Sequence, residues 1–267
     1  MTIQTTIFIR EPAETYHARA GEFLSSHLLA DFRTSPLLYR QKLDGLVEEK
    51  DTAAFIEGTA THTLVLEGRD RFDAEFVCGG PVNPQTGKPY DVRSKVYKEW
   101  AAAQAKTVLT DTVGAKVEQM AAGVQRSELA RELLSGGVAE GVVRTEYCGL
   151  PCQVRVDWFH LKRGLVDLKT CNDLTWFEVD ARRYGYAYQL AFYRAVLAQV
   201  LDQLLVPVHL VAVEKKPPFR CGVWLVSSDL LAMAQRENEQ AMQHLDYCQQ
   251  HDVWPTGYEE LRVLEYV

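Results

Sequence analysis

Apolar side chains in residues 22–43 fall at Phe23, Leu24, Leu28, Leu29 and Phe32, the spacing of a helix that buries one face. Thr34-Ser35-Pro36 interrupts the run, and a second helix starts there naturally, because a first-turn proline lacks only an N–H that would go unpaired anyway. Residues 51–66 repeat the helical spacing through Ala53, Phe55, Ile56, Ala60, Leu64 and Val65. The stretch 79–90, carrying Gly-Gly-Pro, Asn-Pro and Gly-Lys-Pro, is the strongest loop signal in the chain. Residues 94–134 read as mostly helical, with Gly114 and Gly123 as weak points. The period then changes. Residues 138–147, 152–159 and 165–170 alternate or run β-branched and predict three antiparallel strands. Thr175-Trp-Phe-Glu178 has the form of a capping box, opening a helix that continues to Leu205 with a break near Gly185. Two more strands, 206–213 and 222–226, flank Lys215-Lys216-Pro217-Pro218, and an amphipathic helix covers about 228–250. The order predicts an α/β fold, a central mixed sheet flanked by helices with a helical N-terminal part. Residues 1–20 are expected to be an extended arm and 21–267 one domain.

Composition narrows the function classes. Hydrophobic content of 47% and charged content of 24% are ordinary for a soluble globular protein. No run approaches the roughly 20 apolar residues needed to cross a bilayer, and the N-terminal residues lack the pattern of a secretory signal, so a cytoplasmic setting without a membrane is expected. The six cysteines form no C-x-x-C pair and read as small packing residues. A net charge of −7 argues against a broadly basic nucleic-acid coat but leaves room for a basic channel. Arg33, Arg40, Lys42, Lys88, Arg93, Lys95 and Lys98 gather in the N-terminal half. No phosphate loop of the G-x-x-x-x-G-K-[ST] kind and no G-x-S-x-G elbow is present.

The chemistry concentrates in Val-Arg-Val-Asp157-Trp, a Lys162-Arg163-Gly164 turn, and Val-Asp167-Leu-Lys169-Thr. Alternation sends Asp167 and Lys169 to one face of their strand and Val166 and Leu168 to the other. Two carboxylates and a lysine then converge on a small volume. Carboxylate oxygens suit a hard cation such as Mg²⁺, and a lysine beside it can orient or deprotonate a water, the equipment for hydrolysing a phosphodiester. His62 by itself reads either as a satisfied core histidine or as a ligand. Gln189 and Tyr193, four apart, share one helix face and read alone as a polar pair holding that helix to the sheet.

The hairpin Asp157…Asp167-x-Lys169 followed by Gln189-Leu-Ala-Phe-Tyr193 resembles the RecB-like branch of the PD-(D/E)XK nuclease superfamily. Gly58-Thr-Ala-Thr-His62 resembles, more narrowly, the Gly-Thr-Ala-x-His helix of RecE-type exonucleases (exonuclease VIII). Ser35-Pro36-Leu-Leu-Tyr39, Glu140 and Asp252-Val-Trp254-Pro255 echo the same family, and the likeness spans roughly residues 20–260. The resemblance implies that Asp157, Asp167, His62 and the Leu168 carbonyl hold a principal Mg²⁺ (Mn²⁺ substituting), and that Glu140, with Glu146 as a rival, serves a second. It makes Lys169 the residue that orients or activates water, places Gln189 and Tyr193 beside it, and lets the Thr170 hydroxyl reach a DNA phosphate. Gly58, one turn before His62, would allow DNA or another backbone to come close. The iron–sulfur relatives of this branch carry a cysteine spacing absent here, so no cluster is expected. By the same resemblance the chain is expected to degrade linear double-stranded DNA from its ends, processively and 5′ to 3′, as a ring-shaped homo-oligomer, a tetramer first. It would then work with a RecT-like single-strand annealing protein in phage recombination. A non-processive endonuclease or repair nuclease on the same fold, and an inactive DNA-end-binding protein, are the alternatives.

Overall fold

The computed structural model describes residues 7–47, 52–202 and 204–264. Its centre is a five-stranded sheet made of Val138–Tyr147 (β3), Leu150–His160 (β4), Gly164–Cys171 (β5), Val208–Glu214 (β6) and Cys221–Leu225 (β7), hydrogen-bonded in that order. All pairs are antiparallel except β5–β6, which is parallel and therefore needs a crossover. The crossover is helical: a 3₁₀ turn at Leu174–Trp176, then Phe177–Arg183 and Tyr186–Val200. Phe76–Cys78 (β1) and Thr107–Leu109 (β2) form a separate two-stranded parallel pair.

Each face of the large sheet has its own core. On one side Val154, Val156, Phe159 and Leu165 pack with Leu190, Phe192 and Leu197 of Tyr186–Val200 (helix A) and with Leu231, Met242 and Leu245 of the last helix, Ser228–His251. Ser26–Thr34 and Pro36–Leu43 contribute Leu29, Phe32 and Tyr39 to that side. On the other side Val166, Leu168, Val211 and Val213 meet Ala60 of Ala53–His62 (helix B) and Val117, Met120 and Val124 of Asp111–Arg126 (helix C). A sheet covered on both faces explains why β5 and β6 are buried along nearly their whole length.

Several expectations are corrected. The first long helix begins at Ser26, with the Ser25 side chain accepting from Leu28 N, because Leu24 is used in a bridge to Cys152. From residue 7 on, the described part of the expected arm is not extended throughout: Ile9 pairs with Val142, and Ala13–Ala18 is helical. The helical stretch 94–134 is broken by residues 103–110, which include β2. Asp173, not Thr175, caps the 3₁₀ turn by accepting from Thr175 N. The break at Gly185 is present and has left-handed φ of 69°, open to glycine without a side-chain clash. The expected start of helix B at Asp51 lies outside the described residues; the described helix opens at Ala53 behind a Thr52 cap and passes into a π turn at Thr63–Glu67. Among the described residues no helix is long and apolar enough to cross a membrane.

Candidate metal-dependent active site

The site forms where β4 and β5 part. Their ladder covers Trp158–Val166, Phe159–Leu165 and His160–Gly164 and goes no further. One step beyond, the Leu168 N–H donates to Asp157 Oδ2 at 2.8 Å, a carboxylate in place of a strand carbonyl. Strand alternation also slips here. Val154 and Val156 enter the first core, and so does Phe159, three positions on; across the pair, Val138 and Val143 show the same odd spacing on β3. Glu140 absorbs the slip with φ of 50°, a left-handed conformation rare for a residue with a side chain. Backbone outliers of this kind concentrate at functional sites.

That irregularity gathers ligands. Donor atoms of His62, Glu140 and Asp157 lie within 4.8 Å of one another, and His62 Nδ1 stands 3.5 Å from Asp157 Oδ2. His62 arrives from the C-terminal end of helix B, Glu140 and Asp157 from adjacent strands. Burial above all, then the Lys169 charge, pushes the His62 imidazole down to about 4, so at neutral pH its ring is uncharged and able to ligate. Burial and the neighbouring Asp157 push the Glu140 carboxyl up to about 8 against the pull of Arg155, whose Nε lies 2.9 Å from Glu140 Oε2. Burial likewise raises Asp157 and Asp167. Carboxyls held so reluctantly as anions are short of positive charge.

Asp167 differs from the expected arrangement. It stands outside the His62–Glu140–Asp157 trio and is paired with Lys169, whose Nζ is 2.6 Å from Asp167 Oδ2. Beyond that ion pair neither Asp167 oxygen receives a hydrogen bond, although the residue is 1% exposed. An almost fully buried carboxylate with a single lysine as its partner is costly in a finished site and suits one that receives a cation. The donor set, oxygens plus one imidazole, fits Mg²⁺ or Mn²⁺.

A hydrogen-bonded relay leads away from the acids. Lys169 Nζ donates to Gln189 Oε1 at 3.2 Å, and Gln189 Nε2 donates to the Tyr193 hydroxyl at 3.1 Å. Tyr186, one turn before Gln189 on helix A, lies under the Lys169 ammonium, 4.7 Å from ring centre to Nζ. Burial lowers the Lys169 amine, but Asp167 and Asp157 outweigh it and the net shift is upward, so without a bound cation the lysine is an ammonium. The expected Gln–Tyr pair is thus in place and carries the lysine with it.

Glu146, the rival of Glu140, is exposed at the far end of the hairpin, opposite Pro151. Gly58 is half-buried in the second turn of helix B, and a Cβ there would meet only Thr170 Oγ1, at an ordinary 3.8 Å. Glycine inside a helix costs about 0.5–1 kcal/mol relative to alanine, and nothing within the fold requires it here. The sequence reading missed Arg155, Tyr186, and the two lysines that share Glu57: Lys116 Nζ at 2.7 Å and Lys215 Nζ at 3.7 Å. The first two were within reach. Arg155 lies two before Asp157 on a strand and Tyr186 three before Gln189 on a helix, each on the side of a residue already singled out. The Glu57 cluster joins three distant segments and leaves no local signal.

Comparisons with known proteins bear on the fold and the family. Over 97% of its length the chain superposes on 96% of a crystal structure described as a "Putative exonuclease" from Eubacterium rectale, with a TM-score of 0.69 and 18% identity. At that identity the likeness concerns the fold. A weaker match, TM-score 0.44 and 14% identity over 90% of this chain and 95% of the other, is to the crystal structure of LHK-Exo in complex with dAMP. No curated protein matches the sequence. Residues 25–265, nearly the whole chain and every residue of the site, match the model of one family, so the chain belongs to the PDDEXK-like domains of unknown function, DUF3799.

Proposed function

We propose that this chain is a divalent-metal-dependent exodeoxyribonuclease that hydrolyses linear double-stranded DNA from its ends, processively and 5′ to 3′, leaving 3′ single-stranded tails. The observation that carries the reading is the convergence of Asp157, Asp167, Lys169, His62 and Glu140 where β4 and β5 separate, with Asp167 buried and lacking donors other than Lys169. His62, Asp157, Asp167 and the Leu168 carbonyl would hold Mg²⁺, Mn²⁺ substituting, and Glu140 would complete the site or serve a second ion. The cation, when bound, supplies positive charge at the scissile phosphate and makes a water more acidic.

The chain's own residues supply the rest. The Asp157 carboxylate is oriented by the Leu168 N–H, so its second oxygen keeps one direction. Gln189, fixed by Tyr193, holds the Lys169 Nζ in place, and Tyr186 backs the ammonium. As an ammonium Lys169 donates to the attacking water or to the phosphate. Once the charge of Asp167 is neutralised from another side, the lysine loses what raises it and moves toward a base.

The ring-shaped homo-oligomer, a tetramer first, and a RecT-like annealing partner that receives the 3′ tail in the cytoplasm complete the proposal. Both rest on the resemblance to RecE-type exonucleases. A chain with a net charge of −7 has reason to bind DNA weakly alone and to build its basic channel by assembly.

The test is digestion of linear duplex labelled at either terminus, beside a closed circle, with Mg²⁺, with EDTA, and with Lys169→Ala. Early release of 5′ label from linear DNA only, abolished by EDTA and by the substitution, is the expected result. Cleavage of the circle would replace this reading with an endonuclease, and an inert wild-type protein would leave a DNA-end-binding protein.

A further inference from the structure

Residues 79–106, which join β1 to β2, hold the strongest loop signal in the sequence and take no part in the candidate metal site. Backbone bonds and caps fix their course. Asn83 N donates to the Lys88 carbonyl at 2.8 Å, Tyr90 N donates to the Pro81 carbonyl at 3.0 Å, and Val82 bridges Pro89, which makes a short hairpin. The Asn83 side chain accepts from Gln85 N and Thr86 N, and Gly87, with φ of 67°, closes the turn. Ser94 caps the helix Lys95–Ala102 by accepting from Tyr97 N, and the Tyr97 hydroxyl donates to the Gly79 carbonyl at 3.4 Å. A Cβ at Gly80 would stand 2.6 Å from the Tyr97 ring, so this helix and the base of the hairpin are in close contact. The base stands on Phe76 and Leu109, which belong to the same core as Ala60 of helix B. The unit is anchored on the side of the sheet that delivers His62.

Its charge sets it apart. Residues 79–106 carry five lysines and arginines against two acids, a net charge of +3, while the rest of the chain sums to −10. Lys88, Arg93 and Lys98 are exposed and make no ion pair among the described residues, and Lys95 has only Glu99, at 3.6 Å. Arg93, Lys95 and Lys98 line one shallow groove. The helix Lys95–Ala102 buries none of its residues, so packing of the fold does not account for it. A well-tied, cation-rich unit on an acidic protein calls for a polyanion. Three of these four cations are lysines, which protein interfaces avoid, and that favours a nucleic-acid backbone over another protein.

We infer that residues 79–106 form an arm that grips the uncut duplex away from the scissile bond, with Lys88, Arg93 and Lys98 on its backbone phosphates. The inference rests on the nuclease reading and adds to it the surface that holds the intact substrate. Lysine and arginine contacts to phosphate position a duplex without reading its sequence, which suits an enzyme that works through any DNA. Because the arm shares a core with helix B, a duplex held there keeps its place relative to His62.

The experiment uses the full chain with Ca²⁺ in place of Mg²⁺ and reads affinity for a labelled duplex by fluorescence anisotropy across a salt series. Replacing Lys88, Arg93 and Lys98 together by alanine should lower the slope of log affinity against log salt by about two to three, the signature of three lost phosphate contacts. With Mg²⁺ the same variant should show a raised KM and an unchanged kcat, and its melting temperature should match wild type, since the three side chains are exposed. Alanine at Arg131, Lys162 and Arg236, exposed cations elsewhere, removes the same charge and should leave the slope at the wild-type value. An unchanged slope in the arm variant, or an equal loss in both triple variants, would overturn the inference and leave the nuclease reading intact. An unchanged slope with lost self-association would assign the arm to an interface between copies of this chain, and would overturn it equally. A wild-type protein whose binding depends on the arm but which cuts no DNA with Mg²⁺ would keep the arm and remove the nuclease reading. One that neither binds nor cuts would remove both.

Discussion

Asp157 has two tasks that a pair of substitutions separates. One oxygen accepts the Leu168 N–H at 2.8 Å, doing for β5 what a strand carbonyl would do. The carboxylate charge belongs to the chemistry. Asp157→Asn keeps an acceptor and removes the charge, along with its repulsion of Glu140 and Asp167. Asp157→Ala leaves a buried N–H without a partner, at about 1–3 kcal/mol. Thermal denaturation should therefore place the Asn variant at or above wild type and the Ala variant several degrees below, with DNA hydrolysis lost in both. Equal melting temperatures for the two variants would mean that the Asp157–Leu168 bond contributes nothing to stability. At this scale the sequence placed Asp157, Asp167 and Lys169 at one end of a tight hairpin, and it did not show that Asp167 pairs with Lys169 outside the trio of His62, Glu140 and Asp157. It could not choose between Glu140 and Glu146. The two are six apart, on the same face of any regular strand; Glu140 falls where β4 and β5 part and carries a left-handed backbone, while Glu146 falls at the far end of the hairpin.

At the scale of elements, glycines in helix C were read as weak points and are instead close-approach points. A Cβ at Gly123 would sit 2.4 Å from the Phe219 carbonyl oxygen and 3.2 Å from Val213 Cγ2, and one at Gly114 would sit 2.6 Å from Cys78 Sγ. Helix C therefore lies against the β6–β7 connection with no room for a methyl group. Gly123→Ala, which helix propensity alone would favour, should lower stability by about 1–3 kcal/mol through overpacking, measured by urea denaturation. A stabilised variant would show that the connection yields and that the contact does not fix the helix. The contrast with Gly58, where the fold leaves room, separates a glycine placed for packing from one that packing does not explain. Period and alternation located the five sheet strands to within a few residues, since four of them bury residues in the two cores and Val223 and Trp224 of the edge strand β7 pack against those cores. They did not locate β2 or the late start at Ser26. Both depend on partners remote in sequence, Phe76–Cys78 for β2 and Cys152 for Leu24, and no local pattern encodes a remote partner.

For the whole molecule, the candidate metal site ties parts of the chain that are otherwise joined through the sheet. His62 comes from helix B on one side, Glu140 and Asp157 from the β3–β4 pair, and the Lys169 relay ends on helix A on the other side. A cation held by these groups binds the folded state only and stabilises it by about 2.7 kcal/mol at a hundredfold excess over its dissociation constant. For a chain of this size that is roughly 5–10 °C in melting temperature. The effect should depend on pH with a definite sign. Glu140 has its folded-state value raised to about 8, so between about 4.5 and 8 the folded metal-free protein holds a proton that the unfolded chain has released. Stability without metal is thus lost as pH rises through that window. A cation competes with that proton, and its stabilisation should grow from pH 6 to pH 8.5. Melting curves with Mn²⁺ and with EDTA at the two pH values, on wild type and Glu140→Gln, provide the check. The metal-free decline and the pH-dependent gain should both be reduced in the Gln variant, whose side chain cannot exchange a proton for a cation. A Mn²⁺ shift that is the same at both pH values, or unchanged by Glu140→Gln, would remove Glu140 from the metal site and leave it as the ion-pair partner of Arg155.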